Sequence, residues 1–565
     1  MSAWRSITSL LAVEAVQCYS SFASGADPVV SVRNGTYEGL HLLEFDQDIF
    51  LGIPYAQDTG GANRFRIPQS LDKTWNGTRP AKAYGPACPD YHLSAEVLHG
   101  MSEDCLSINI VRPAGIESSI PLPVMLWIHG GGYQYGSSGE VEYNLTYLVQ
   151  RSVDIGMPVI GASINYRKGG WGNMYSIEIQ GSGNTNLALR DMRKALSWVQ
   201  ENIQNFGGDT SSVTIWGQSA GSFAVGQLLM SYGGRSDGLF HRSIQESGSA
   251  TTAWCNGSEW YQPIYDRIVD QVNCSSAPDT LECLRTIDYG VLYPYLNSSA
   301  VSGPGFYPTV DGDVLPNYPS ELLRAGRFAP VPHIYGTTSD EGTDNAPVGI
   351  NTDADLRTYL LQRTGFDFPV ATVDRIMELY PDDPAQGVPV DTGAERFAAE
   401  GWQYKRVAAI VGDVFYHGPR RYDVQHYAPR SPTYVYRFNT RRWDYEASST
   451  TTTADSKSTG QLTPAYKGVA HFSEVPFVFA NPTMIGPWPE YHKLSDQLSS
   501  HWIRFAHTGD PNGQGLPHWP RYDESKNGAN LVLQTEAQGG SYVEEDTYRL
   551  AGREYLTEWS RRRHV

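Results

Sequence analysis

The sequence lacks several things, and each absence excludes something. No uninterrupted apolar run approaches the roughly 20 residues that a membrane-spanning helix needs, so stable membrane association is not expected. There is no basic stripe. Lys plus Arg number 43 against 61 Asp plus Glu, for a net charge of −18, which makes nucleic acid and anionic membranes poor partners. A cationic substrate is compatible with that charge but not implied by it. None of the six cysteines forms a CxxC pair, and no His/Cys/Asp cluster has metal-ligand spacing. No cofactor or metal is therefore implied. No internal repeat is evident. One low-complexity stretch, SSTTTTADSKST (448–459), has no run of apolar residues and marks a surface loop over 447–460.

What is present bounds the rest. The chain has 565 residues, which by length alone suggests three or four domains. Apolar residues at 40% suffice for a sizeable core, and 56 Gly with 35 Pro imply many turns. The first 25 residues carry one early Arg, a short apolar stretch broken by Glu14, and small residues at 23–26. That pattern reads as a secretory signal peptide. Six Asn-x-Ser/Thr sequons, at Asn34, Asn76, Asn144, Asn256, Asn273 and Asn297, fit a secreted, glycosylated protein. Removal of the leader takes Cys18 with it. Cys88 is paired with Cys105 and Cys274 with Cys283, both closing short loops, which leaves Cys255 as the odd thiol.

Apolar runs at 122–128 (LPVMLWI), 157–164 (MPVIGASI) and 213–216 (VTIW) suit buried strands. Between the last two, apolar residues at 189, 192, 196, 199 and 203 line one helix face, and Gly207 and Gly208 end the run. Strand, helix, strand in this order indicates a βαβ unit and a parallel sheet.

The segment VTIWGQSAGSFA (213–224) places Ser219 between small residues, after a strand and before a helix-like run. A sharp turn there would lift the hydroxyl clear of its backbone at a helix N-terminus, where developing negative charge is favoured. A plain structural turn is the alternative. Upstream, IHGGGYQYG (128–136) follows the first strand. Its glycines leave backbone N–H groups unobstructed, so Gly131 and Gly132, with Ala220, are candidate donors to an oxyanion. A dinucleotide loop fails on spacing, because the third glycine would be needed at Tyr135.

With these motifs assembled, the sequence resembles the type-B carboxylesterase/lipase family on the α/β-hydrolase fold, in a secreted fungal-type form. The resemblance runs through FLGIPYAQ (50–57), SEDCLSINIVRP (102–113), HGGG, NYRKGGWG, GQSAGS, ESGSA (246–250), SDEGT (339–343), GVAHFSEVPFVF (468–479) and WIRFAHTGDPN (502–512). It implies a large, mostly parallel central sheet flanked by helices, with helical cap insertions. It also implies one catalytic domain over 26–565 in place of several. It carries the remaining roles onto His471 as base, Glu341 as its acid partner, and Ser247 as a buried supporting serine. Asp340 is the local rival to Glu341. Gln218 and Ser222 depart from the Glu and Gly that many members have there.

The implied activity is carboxylic-ester hydrolysis through an acyl-enzyme on Ser219. In the family the Cys88–Cys105 loop forms the flap over the gorge and is much longer in true lipases. The short loop here favours short-to-medium chain or aryl esters over emulsified triglycerides. Ala95 stands where cholinesterases carry Trp, so a quaternary-ammonium site is not supported. The expected partner is a small-molecule ester. The alternative function is a catalytically silent binding or adhesion protein. An aspartic protease built on the Asp-Thr-Gly triplets at Asp58 and Asp391 is disfavoured, because neither is flanked by paired apolar strands.

Overall fold

The computed structural model describes residues 27–91, 99–116, 120–252, 255–298, 305–362, 366–444 and 461–562. The leader expected over 1–25, Ala95 and the loop expected over 447–460 lie outside the described residues. Contacts group the chain into two compact units. The first holds residues 1–214, 238–240 and 256–311, and the second holds 215–237, 241–255 and 312–565.

In the first unit, β1 (Leu40–Leu42), β2 (Gln47–Pro54), β3 (Ser107–Pro113), β4 (Leu122–Ile128) and β5 (Ile160–Ile164) follow the order β1-β2-β3-β5-β4. The first three pairings are antiparallel, and β4 pairs with β5 in parallel. Strand β4 is buried at every position, as its unbroken apolar run requires of a strand covered on both faces. A separate three-stranded sheet is formed by Val29–Val32, Gly35–Glu38 and Thr78–Pro80.

Two boundaries differ from the sequence reading, each for a local reason. Strand β5 starts at Ile160, not Met157. Met157 and Val159 bond back to Ser152 at the end of the preceding helix, and Pro158 has no N–H to offer a ladder. Helix α1 (Leu187–Asn202) buries Leu189, Met192, Leu196 and Val199 along one face. It tightens into a 3₁₀ turn at Ile203–Phe206 and is closed by Gly207 at φ 83°.

Strand β6 (Gly208–Gln218) is longer than VTIW and runs from the first unit into the second. In the second unit its neighbours continue as β7 (Arg242–Glu246), β8 (His333–Thr338), β9 (Thr433–Phe438), β10 (Ala529–Leu533) and β11 (Tyr542–Glu545). β7 through β10 pair in parallel, and β11 closes the edge antiparallel. Parallel strands align their carboxyl ends, and the loops leaving those ends hold the residues considered next.

Candidate active site

Ser219 directly follows β6 and caps α2 (Ala220–Gly234) with φ 55° and ψ −123°. Such angles are costly for a residue with a Cβ and persist only where the surroundings enforce them. Three contacts do so. The Ser219 N–H donates to Glu246 O at 2.9 Å, tying the turn to the end of β7. The Phe223 N–H donates to Ser219 O at 2.9 Å, starting the helix. Gly248 packs against the turn so closely that a Cβ there would lie 2.3 Å from Ser219 O. The Gly248 carbonyl accepts from Ser222 Oγ, Tyr335 Oη and Gln245 Nε2 at 2.6, 2.7 and 3.0 Å. Strain at the serine is thus held by a fully bonded neighbour. Ser219 is partly exposed, and its Oγ makes no hydrogen bond among the described residues.

Glu341 and His471 are brought together. Glu341 lies three residues beyond β8 and is fully buried. Its Oε1 accepts from the Thr338 N–H at 2.7 Å, and its Oε2 accepts from His471 Nδ1 at 2.6 Å. Burial alone would push the Glu341 carboxyl up, but the imidazole across this bond, with His417 nearby, holds it below the ordinary carboxylate value. Burial alone would lower His471; Glu341, Glu474 and Asp344 raise it above the ordinary imidazole value. A proton on Nδ1 leaves Nε2 as the acceptor nitrogen. That Nε2 reaches the Ser219 turn, 3.1 Å from Gln218 Nε2. The Tyr416 ring packs against the imidazole with centroids 4.7 Å apart.

Asp340 is bonded elsewhere. Its two oxygens accept from the Val390 and Val469 N–H groups at 2.9 and 2.8 Å, and burial raises its carboxyl to about 6. It pins the segment two residues before His471, which makes it a brace for the histidine loop. Ser247, at φ 55°, donates to Glu474 Oε1 at 3.1 Å. Burial and the neighbouring Glu341 push the Glu474 carboxyl up to about 7.

The glycine loop belongs to the first unit. Gly131 has φ 92°, and a Cβ there would fall 2.1 Å from Tyr135 O, so only glycine fits. Its carbonyl accepts from the Gln134 and Tyr135 N–H groups, while the N–H groups of Gly131 and Gly132 form no hydrogen bond among the described residues. His129 and Tyr166, stacked 4.5 Å apart, support the base of the loop. Buried Lys168 donates to Gly136 O at 2.5 Å and Cys88 O at 3.0 Å, linking this loop to the first disulfide. In the second unit, Ala220 is the first residue of α2, where an N–H has no intrahelical partner.

Disulfides join Cys88 to Cys105 and Cys274 to Cys283. Cys255 is a free, buried thiol, pushed up to about 12 by burial. Of the sequons, Asn76 and Asn273 are exposed, whereas the Asn34 amide nitrogen donates to the Leu71 and Lys73 carbonyls. Asn144 caps the helix at Leu145–Asp154, Asn256 accepts from Thr309 through its backbone carbonyl, and Asn297 bonds Tyr293. Asp58 caps its own turn through the Gly60 N–H, and Asp391 accepts from Asn439. Among the described residues, no three His, Cys, Asp or Glu side chains are grouped to hold a metal ion, and no helix is long and apolar enough to cross a membrane.

A model of the carboxylesterase family matches residues 26–550. The chain belongs to the carboxylesterase family. It is a carboxylic-ester hydrolase by that membership. Lipase 2 of Geotrichum candidum is 34% identical, over 90% of this chain and 92% of its own. An inactive carboxylesterase-like protein of Byssochlamys spectabilis is 32% identical, over 85% of this chain and 82% of its own. The crystal structure of Aspergillus niger EstA superposes with a TM-score of 0.78 at 28% identity, covering 96% of this chain and 99% of that one. The chain thus has the α/β-hydrolase fold.

Several residues that build the candidate site escaped the sequence reading. Gly248 lay within the quoted ESGSA motif, but nothing local shows that its missing Cβ makes room for Ser219. Lys168 sat in NYRKGGWG, yet its burial between two loops is a long-range fact. His417 donates to or accepts from Thr337 Oγ1 at 3.2 Å and is held near 4 by burial, and it had no motif at all. Glu474 sits three residues after His471, and only that proximity marked it.

Proposed function

We propose that this carboxylesterase is a secreted serine hydrolase whose catalytic residues are Ser219, His471 and Glu341. The observation that carries the reading is the 2.6 Å Glu341–His471 bond, with the other ring nitrogen turned to the Ser219 turn at Gln218. Ser219 Oγ attacks the ester carbonyl as His471 Nε2 takes its proton, and Glu341 stabilises the imidazolium. The alcohol leaves with that proton. Water, deprotonated by the same nitrogen, then releases the acid from Ser219. The Ala220 N–H donates to the tetrahedral oxyanion, and the HGGG motif supports Gly131 and Gly132 as its other donors. Ser247 is a positioning residue that acts through Glu474.

Residues 26–565 act as one catalytic domain, which the single family match supports. Secretion follows the expected leader and the two disulfides, with Asn76 and Asn273 the best-placed glycan acceptors. The Cys88–Cys105 bridge, at a sequence separation of 17, favours short-to-medium chain and aryl esters.

Fluorophosphonate labelling with peptide mapping tests the triad. Label on Ser219 in the wild type and none in Ser219→Ala supports it. An unlabelled wild type would favour the silent binding reading, which similarity to an inactive relative makes concrete. Because other relatives are named lipases, rates on tributyrin should be followed across its solubility limit. A smooth saturation curve is expected, and a sharp jump overturns the substrate preference.

A further inference from the structure

The hydrogen bond between Gln218 and the imidazole has no role in the mechanism above. Gln218 is the last residue of β6, is 1% exposed, and places Nε2 at 3.1 Å from His471 Nε2. An amide nitrogen only donates, so the bond requires the imidazole nitrogen to be unprotonated. The 2.6 Å bond from Nδ1 to Glu341 independently sets the same tautomer. Meanwhile Ser219 Oγ has no partner among the described residues. The lone pair that must remove the serine proton is therefore occupied by Gln218, the residue before Ser219 in the chain.

We infer that Gln218 is a positioning residue that holds His471 only while the imidazole is neutral and releases it on protonation. This rests on the triad reading. The amide N–H leaves the lone pair as the Ser219 proton takes its place at Nε2, and once Nε2 carries that proton the amide N–H faces an N–H and the bond cannot re-form. The imidazolium is then free to turn its proton to the departing alkoxide. A carboxylate at this position would do the reverse, accepting from the imidazolium and competing with the leaving group for its proton.

The other groups facing the ring are named, because each also bears on its titration. Glu341 lies at Nδ1, and Asp344 and Glu474 add negative charge. Tyr416 covers a face, and His417 next to Glu341 stays neutral at ordinary pH, being held near 4. Glu474, pushed up to about 7, changes charge in the same range but is common to wild type and variants, so Gln218 is the neighbour whose bond selects the neutral ring.

The test is the acid limb of kcat/KM for p-nitrophenyl butyrate in Gln218→Glu and Gln218→Met, beside the pH dependence of fluorophosphonate labelling at Ser219. The Glu variant is expected to move the limb up by about one pH unit, the scale of one added charge nearby. The Met variant, lacking the donor but close in volume, should move it less in the same direction. Both variants should show the same ordering in labelling rate, which a packing defect would not produce. Identical limbs in all three proteins would overturn the role of Gln218 while leaving the triad standing. Absence of label on Ser219 in the wild type would instead remove the triad itself.

Discussion

Two fully buried carboxylates in the second unit make opposite use of the same environment. Glu341 is bonded to the imidazole of His471, a partner that can gain and lose a proton near neutrality. Asp546 faces Arg420 at 2.7 Å, Arg553 at 2.8 Å and Arg421 at 3.4 Å, none of which can. Tyr522 Oη donates to Asp546 as well, at 3.2 Å. Burial alone would raise Asp546, yet the three guanidinium groups hold it far below the usual carboxylate range. A polar cleft of about 610 Å³ lies against this arginine cluster, and its lining includes none of Ser219, Glu341 and His471. The lesson is that burial with ionic partners does not by itself mark chemistry. What distinguishes the catalytic candidate is a partner with an exchangeable proton, whose other ring nitrogen reaches the residue before Ser219.

The comparison can be broken first at Glu341, the proposed acid partner. Glu341→Gln is expected to cost about 10⁴-fold in kcat by destabilising the imidazolium and the required tautomer. Its Tm should stay within a few degrees of the wild type, and steady-state kinetics with calorimetry would check both. Asp546→Ala should do the opposite. Leaving three arginines unpaired is expected to destabilise the fold by about 3–5 kcal/mol, while kcat per folded molecule holds. Urea unfolding with active-site titration measures both.

A third variant strikes geometry without touching charge. Gly248→Ala forces a Cβ to within 2.3 Å of Ser219 O and 2.8 Å of the Phe223 ring. Displacement of the turn by part of an ångström should lower kcat/KM by about 10–100-fold, with smaller loss of stability. A variant as active as the wild type would show that the turn tolerates the shift.

The smallest effects concern pH. In the proposed mechanism His471 must be neutral to act, and its partners raise it, so the acid limb of kcat/KM is expected above the usual imidazole value of about 6.5. Asp546 has a depressed folded value. Its contribution to stability is complete above the unfolded carboxylate pKa of about 3.9 and is lost as pH falls below it. Activity should therefore fall on acidification well before the fold does, and parallel profiles of rate and Tm would reveal any overlap.

Much of this was legible in the chain. The run LPVMLWI became a strand buried at every position, and the spacing from Leu189 to Val199 became a helix with one buried face, because periodicity is a local consequence of burial. The choice between Asp340 and Glu341 was not legible from spacing. Both are buried carboxylates on one turn, and they differ only in which long-range groups reach them, Val390 and Val469 N–H for one and His471 for the other.

By itself the sequence determined the strand and helix pattern, the glycine-rich turns, the cysteine pairs and the motifs that carry the family. These depend on residue type and spacing over a few turns of chain. Only the tertiary structure decided that Glu341 meets His471 across 130 positions, that Gly248 supports the serine turn, and that Gln218 occupies the imidazole nitrogen. Hydrogen bonds and close contacts extend about 3 Å through space whatever the separation along the chain, so no local pattern encodes them.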